Sequence, residues 1–313
     1  MWFDSFNANI LGDDVYTTNQ RTDLHVDFPG VLKNDFSAAN LMLLDEPLHG
    51  SLEGLRSGDI FDGSFIYHPD PNFAGTDVFS YTSADGAEVA QVEIDITPVR
   101  TLTIPITAGA DDVEQRADGT MYSNSTDLEL VTDGGVQMVG LKFNNIQLAA
   151  GAKIVNAYVQ FSTDEMSNEN TVLTIAGEAS ANPAAFTSAR LNVSSRTRTV
   201  ASAQWQPEPW LVLNEAGVRQ QTPSLKSVVE ELINNAGWQA GNSMVFIISG
   251  AGKRVARAFE VSSALAPRLV IEVEDDEAVP EVNSFSLDSR ISSGLNDVEE
   301  QANGTVNNNS TDL

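Results

Sequence analysis

Five carboxylates on two neighbouring short segments are the residues best placed to do chemistry: Asp111, Asp112 and Glu114 on one, Asp127 and Glu129 on the next. Strand alternation would turn Asp112 and Glu114 to one face, and Asp127 and Glu129 likewise. If the two strands pair, or face each other across an edge, four carboxylates converge and repel unless a cation intervenes. Ca²⁺, which takes roughly six to eight oxygen ligands, is the cofactor that such a cluster predicts. The segment carrying these residues, Ile106 to Leu128, recurs as Ile291 to Leu313, where Asn296, Asp297, Glu299 and Asp312 keep the oxygens. Without a metal, the same residues would be solvated edge positions, repeated only because two modules share an ancestor. Two close carboxylates also suit acid and base roles in glycoside cleavage. Nothing else in the sequence outlines the sugar-holding cleft which that reaction needs.

A second set of residues points to acidic polysaccharide as an alternative ligand. Arg196 and Arg198 alternate along one strand, and Lys253, Arg254 and Arg257 cluster in a later loop, all in a chain of formal charge -27. Guanidinium groups hold carboxylates in a bidentate fashion, so a polymer such as alginate fits them. Trp205 and Trp210, in the Pro-rich stretch QWQPEPW, would offer flat faces on which sugar rings stack, with Trp238, Tyr122 and Tyr158 as further candidates. The competing expectation is that the tryptophans plug a core and the basic residues pair with the abundant Asp and Glu.

Composition excludes several classes. The excess of 44 acidic over 17 basic residues repels nucleic acid and anionic membranes. With no cysteine there are no disulfides, thiolate metal sites or thiol nucleophiles. No apolar run is long enough to span a membrane, and the start, MWFDSFNANILGDD, lacks the basic and apolar regions of a signal peptide. An export signal is therefore expected on sequence outside this chain. His25, His49 and His68 all precede residue 98, so a histidine base is unavailable in the later part. There is no HxxxH pair, GxSxG elbow or P-loop pattern.

These residues must be positioned by strands. After a leader over 1–12, residues 13–98 show short alternating runs such as Phe65-Ile66-Tyr67, Val78 to Tyr81 and Val92 to Ile96, separated by Gly, Pro, Asn and Asp. This pattern predicts a small β-sandwich. Its Asp13-Asp14, Pro29-Gly30-Val31-Leu32, Asn34-Asp35, His49-Gly50, Asp62-Gly63-Ser64-Phe65, Pro69, Asn72-Phe73, Gly75-Thr76-Asp77 and Asp85-Gly86 come in an order that resembles the cadherin-like, Ig-like tandem repeats (VCBS type) of very large bacterial surface proteins. The family usually follows its Asn-Asp with an acidic DPDGD-like loop. Here Phe36-Ser37-Ala38-Ala39-Asn40 stands there instead, so the resemblance carries over no clear calcium site at that loop.

Residues 101–274 continue with longer strand runs and one helix, predicted from Thr222 as N-cap, Pro223 at the first helical position, Leu225, Val228, Val229, Leu232 and Ile233 on one face, and Gly237 as the stop. A one-sided stripe lays the helix against a sheet, and the whole reads as a jelly-roll-like β-sandwich. The sequence of motifs ADDVEQ, STDLEL, VGLKF, GAKIVNAYVQF, TIAGE, SSRTRT, WxPxxW and APRLVIEV resembles the DNRLRE-type sandwich domains of secreted bacterial proteins. That resemblance implies a kinship with carbohydrate-binding modules, alginate binders among them.

Residues 275–313 begin with an acidic linker, Asp275 to Pro280, and continue as the recurring segment. An offset of 185 residues means tandem whole domains, with the second copy stopping after its first strands. Two strands cannot bury a sandwich face, so this tail is expected to be an orphan pair, disordered unless it docks on another module. The chain thus reads as an all-β, non-catalytic structural or adhesive segment of a large secreted or cell-surface bacterial protein, partnered by neighbouring modules and stiffened by Ca²⁺. The alternative is a carbohydrate-binding module that serves an enzyme lying outside the chain.

Overall fold

The computed structural model describes residues 11–35, 40–83, 86, 88–275, 299–300 and 306–307. The chain divides into two compact units, Met1–Asp275 and Asp276–Leu313.

The first unit opens with eight strands: β1 (Asp14–Asn19), β2 (Leu24–Val26), β3 (Leu41–Asp45), β4 (Gly50–Leu52), β5 (Ile60–Phe61), β6 (Phe65–Pro69), β7 (Gly75–Ser83) and β8 (Val89–Thr97). They form a five-stranded sheet ordered β1-β8-β7-β3-β5, with β1 parallel to β8, and a three-stranded sheet ordered β2-β6-β4. Alternation decides the faces. In β8, Ala90, Val92, Ile94 and Ile96 are buried, while Val89, Gln91 and Glu93 are exposed. Between the sheets they meet Leu41, Leu43, Phe65, Tyr67, Phe79 and Tyr81. Edge-to-face contacts of Phe65 with Tyr16 and Phe79 give this core directional packing. Gly30 is required where the backbone of one loop meets another: its φ is +56°, and a Cβ there would stand 1.8 Å from the carbonyl oxygen of Gly63.

Twelve further strands and one helix follow: β9 (Val99–Pro105), β10 (Asp112–Gln115), β11 (Met121–Tyr122), β12 (Asp127–Glu129), β13 (Met138–Phe143), β14 (Ile154–Gln160), β15 (Thr163–Glu165), β16 (Val172–Glu178), β17 (Arg198–Trp205), α1 (Lys226–Ile233), β18 (Met244–Ala251), β19 (Val255–Arg257) and β20 (Arg268–Glu274). A six-stranded sheet ordered β11-β10-β13-β18-β16-β17 encloses the main core with two three-stranded sheets, β14-β20-β9 and β12-β19-β15. The core holds Leu141, Phe143, Phe161, Phe246, Leu269 and Ile271. A smaller core of Val113, Phe186, Val193, Val245 and Ile247 uses the alternate positions of β10 and β18. The chain is all-β, an Ig-like sandwich followed by a larger sandwich with one helix.

The helix starts later than its sequence signals predict. Its N-cap is Leu225, and Thr222 is spent elsewhere: its hydroxyl accepts the Val159 amide at 3.0 Å, and its own amide donates to the Val159 carbonyl at 3.1 Å. Pairing with β14 outweighs capping, so Pro223 lies before the helix. The apolar face is as expected, with Val228, Val229, Leu232 and Ile233 buried. Gly237, at φ +93°, lies beyond the helix end at Ile233.

In the second unit Glu299–Glu300 pairs antiparallel with Val306–Asn307. Glu299 lies opposite Asn307 and Glu300 opposite Val306, which reproduces the register of the earlier copy, where Glu114 lies opposite Tyr122 and Gln115 opposite Met121. Among the described residues these two segments form a two-stranded sheet, while the expected disorder concerns residues outside the described set.

Candidate functional site

The five acidic residues are placed by two strands that do not pair. β10 lies in the six-stranded sheet between β11 and β13, while β12 runs antiparallel to β19 in another sheet. Their carboxylates are accordingly parcelled out, and the expected four-fold convergence does not form. Asp111 accepts from Asn144 Nδ2 at 2.8 Å and from the Thr107 hydroxyl at 3.3 Å. Asp112, 3% exposed, accepts the Phe259 amide at 2.9 Å through Oδ2. Burial, above all, pushes its pKa up to about 7, with Glu260 and Asp111 adding repulsion. Glu114 takes the Glu129 amide at 2.9 Å and Gln137 Nε2 at 2.8 Å on one oxygen. Burial and then the hydrogen-bonded Glu129 carboxyl raise its pKa well above the usual carboxylate range.

Asp127 alone joins a metal-compatible group, and its companions are residues the sequence reasoning missed. Carboxylate oxygens of Asp127, Asp164 and Glu165 lie within 4.8 Å of one another. Asp164 and Glu165 reach this place because β15 and β12 flank β19 on opposite sides. The acidic pair Asp164-Glu165 facing the basic 253–257 stretch was the available signal. Arg257 is bonded to Asp164, and Lys253 Nζ stands 3.0 Å from Glu165. These cations already neutralise much of the group's charge.

Of the basic and aromatic residues proposed for sugar binding, Arg254, Trp205, Trp210 and Trp238 are buried, while Arg196, Lys253 and Arg257 are partly exposed and paired with carboxylates. Arg254 is 1% exposed; its guanidinium donates to the carbonyls of Pro207, Glu208, Glu169 and Lys253 and to the Thr171 hydroxyl, at 2.7 to 3.1 Å. Arg196 sits over the Phe186 ring, pairs with Glu178 at 2.5 Å, and donates to the carbonyls of Ala184, Ala185 and Asn192. It also precedes β17 instead of alternating with Arg198 along it. Arg198 is exposed, with Met138 Sδ 3.4 Å away. Trp205 and Trp210 pack with Phe161 in the core, and Trp210 Nε1 donates to the Arg219 carbonyl. Trp238 is buried as well, bonded to the Leu148 carbonyl. A buried guanidinium needs several acceptors, and carbonyls from three loops supply them to Arg254, which is what lets that residue face in.

Residues 7–97 match the family model of the bacterial Ig domain. No curated protein matches the chain. Among solved structures, the chain is similar to the SGBP-B protein of the Bacteroides ovatus mixed-linkage glucan utilization locus, in complex with a mixed-linkage heptasaccharide. The identity is 11% and the TM-score 0.24, over 85% of this chain and 52% of that one. The chain thus spans about half the length of that protein. It is also similar to a carbohydrate-binding module of the β-sandwich superfamily, at 8% identity and a TM-score of 0.22, over 82% of this chain and 99% of that one.

The Ig domain leads into the larger sandwich through a single residue, Pro98, which joins β8 to β9. Both sides of this junction are tied. The Gln20 amide donates to the Thr97 carbonyl at 2.9 Å, and the Val99 amide to Gln20 Oε1 at 3.3 Å. Arg21, held at φ 64°, donates to the Val99 carbonyl and stands 4.0 Å from Glu272. The Asp275 amide closes onto the Pro98 carbonyl at 2.8 Å. Among the described residues, no helix is long and apolar enough to cross a membrane.

Proposed function

We propose that the chain is a non-catalytic structural segment of a secreted or cell-surface bacterial protein, in which the Ig domain and the larger sandwich act as one stiff spacer. The observation that carries this reading is the junction: one strand passes from module to module through Pro98 alone, and hydrogen bonds from Gln20, Arg21 and Asp275 brace it on both sides. A proline, whose φ is fixed, leaves this connection little freedom to bend. The acidic surface, with its charge of -27, suits a spacer that must stay soluble and resist self-association.

Small-angle X-ray scattering on the full chain tests the proposal. The wild type should give the distance distribution of two modules held in one fixed arrangement, and inserting a short Gly-Ser stretch after Pro98 should broaden that distribution. If the wild type already matches the insertion variant, the modules are independently mobile and the spacer reading fails. Polysaccharide binding, the second possibility, could not use the buried Arg254, Trp205 and Trp210, and would have to draw Arg196, Lys253 and Arg257 away from their carboxylate partners.

A further inference from the structure

We propose a site for a hard divalent cation such as Ca²⁺ between Asp112 and Glu260, where the start of β10 meets the residues after β19. The inference gives the calcium expectation a location, and it does not rest on the spacer reading. Asp112 is 3% exposed, and only its Oδ2 is used, by the Phe259 amide. Its Oδ1 is buried with no hydrogen-bond partner, one of three such side-chain atoms among the described residues; the other two are the hydroxyls of Thr163 and Ser167. A hydroxyl left alone is a modest cost, whereas a carboxylate oxygen left alone in the interior asks for a proton or a cation.

The charges acting on Asp112 are both negative, Glu260 and Asp111, and no basic side chain is among them. Asp111 is itself engaged by Asn144. Glu260 is exposed as a residue, yet its carboxylate is drawn in against Gly109, where a Cβ would stand 1.5 Å from its Oε1. The Phe259–Asp112 hydrogen bond sets residue 260 beside Asp112. A cation between them would take Asp112 Oδ1 and the Glu260 carboxylate as its anionic ligands, with water or backbone carbonyls completing the shell. The Asp127, Asp164 and Glu165 group is the weaker candidate because Arg257 and Lys253 already occupy it.

Thermal unfolding of the full chain, titrated with CaCl₂ against EDTA, tests the site. The wild-type Tm should rise by several degrees at about millimolar Ca²⁺, a concentration typical of extracellular modules. Glu260→Gln and Asp112→Asn should each abolish the rise, and Asp127→Asn should keep it. In EDTA, Asp112→Asn should melt above the wild type, because the unpaired carboxylate is gone. A wild type indifferent to Ca²⁺ overturns the proposal, as does a rise that survives Glu260→Gln, or one lost in Asp127→Asn instead. Should Asp112→Asn not fold, Glu260→Gln at its exposed position decides alone.

Discussion

Replacing Arg254 by Met separates a structural role from a ligand-binding one. Met keeps much of the side-chain length but removes every donor of a guanidinium that is 1% exposed. The Pro207 carbonyl, reached at 2.8 Å, and the Glu208 carbonyl, reached at 3.1 Å, then lose the bonds that pin the 205–210 loop. The Glu169 and Lys253 carbonyls and the Thr171 hydroxyl lose a partner too, and the single Thr171 hydroxyl proton can serve only one of the two carbonyls at a time. Glu208 is exposed and its carbonyl can turn to water, so at about 1–3 kcal/mol for each acceptor left unpaired, the Pro207 carbonyl and the one that Thr171 does not serve cost about 4 kcal/mol. Relief from desolvating the guanidinium returns part of this, leaving a net loss of about 3 kcal/mol. For a module of this size, that lowers Tm by roughly 10 °C. Differential scanning calorimetry of the full chain reads the transition of the larger sandwich. Arg254→Lys should recover only part of the loss, since one ammonium cannot span three loops. A Tm for Arg254→Met close to that of the wild type would refute the claim that this guanidinium holds the loops together.

Three further outcomes follow from the same geometry. Asp112, Asp14 and Glu114 all have pKa values raised by burial, Asp112 to about 7 and Asp14 to about 6. Each folded pKa exceeds the unfolded one, so the stabilisation is complete below about pH 4 and is lost as pH rises through about 6 to 8; in EDTA the Tm should climb on acidification from about pH 9 to 5, and Glu114→Gln should flatten that slope. Gly30→Ala should destabilise the Ig domain by about 2 kcal/mol or more, read by urea unfolding, because it demands a left-handed residue against the Gly63 carbonyl. Trp210→Ala should cost about 3–5 kcal/mol through the cavity it leaves, whereas Arg198→Ala, at an exposed position, should stay within about 0.5 kcal/mol of the wild type.

Strand and helix faces were legible in the sequence because they depend on local periodicity. Ala90, Val92, Ile94 and Ile96 alternate, and Val228, Val229, Leu232 and Ile233 follow the helical turn, so each face could be read without knowing its neighbour. Pairing was not legible. Whether Asp112 and Asp127 meet depends on which strands lie between them, and β10 found β13 while β12 found β19. The fates of Arg254 and Arg196 were hidden for a related reason: their acceptors are main-chain carbonyls, which every residue possesses and no side-chain pattern announces. The Thr222 cap failed in the same way, outbid by a backbone partner more than sixty residues distant in sequence.

The recurrence of the acidic segment can now be divided between fold and ligand. Glu114 returns as Glu299, and its hairpin returns in register. In the first copy that glutamate binds the Glu129 amide and Gln137, so shared architecture accounts for it without any cation. Asp111, bonded to an asparagine amide and a hydroxyl, returns as Asn296, a change that keeps an acceptor and gives up the charge. Gly109 and Asp112 return unchanged as Gly294 and Asp297. In the first copy Gly109 makes room for the Glu260 carboxylate, and Asp112 holds an oxygen with no partner among the described residues. Architecture alone would tolerate asparagine at Asp112, since one amide is all it accepts. The retained charge, beside a glycine that admits a second carboxylate, is what the proposed cation would require.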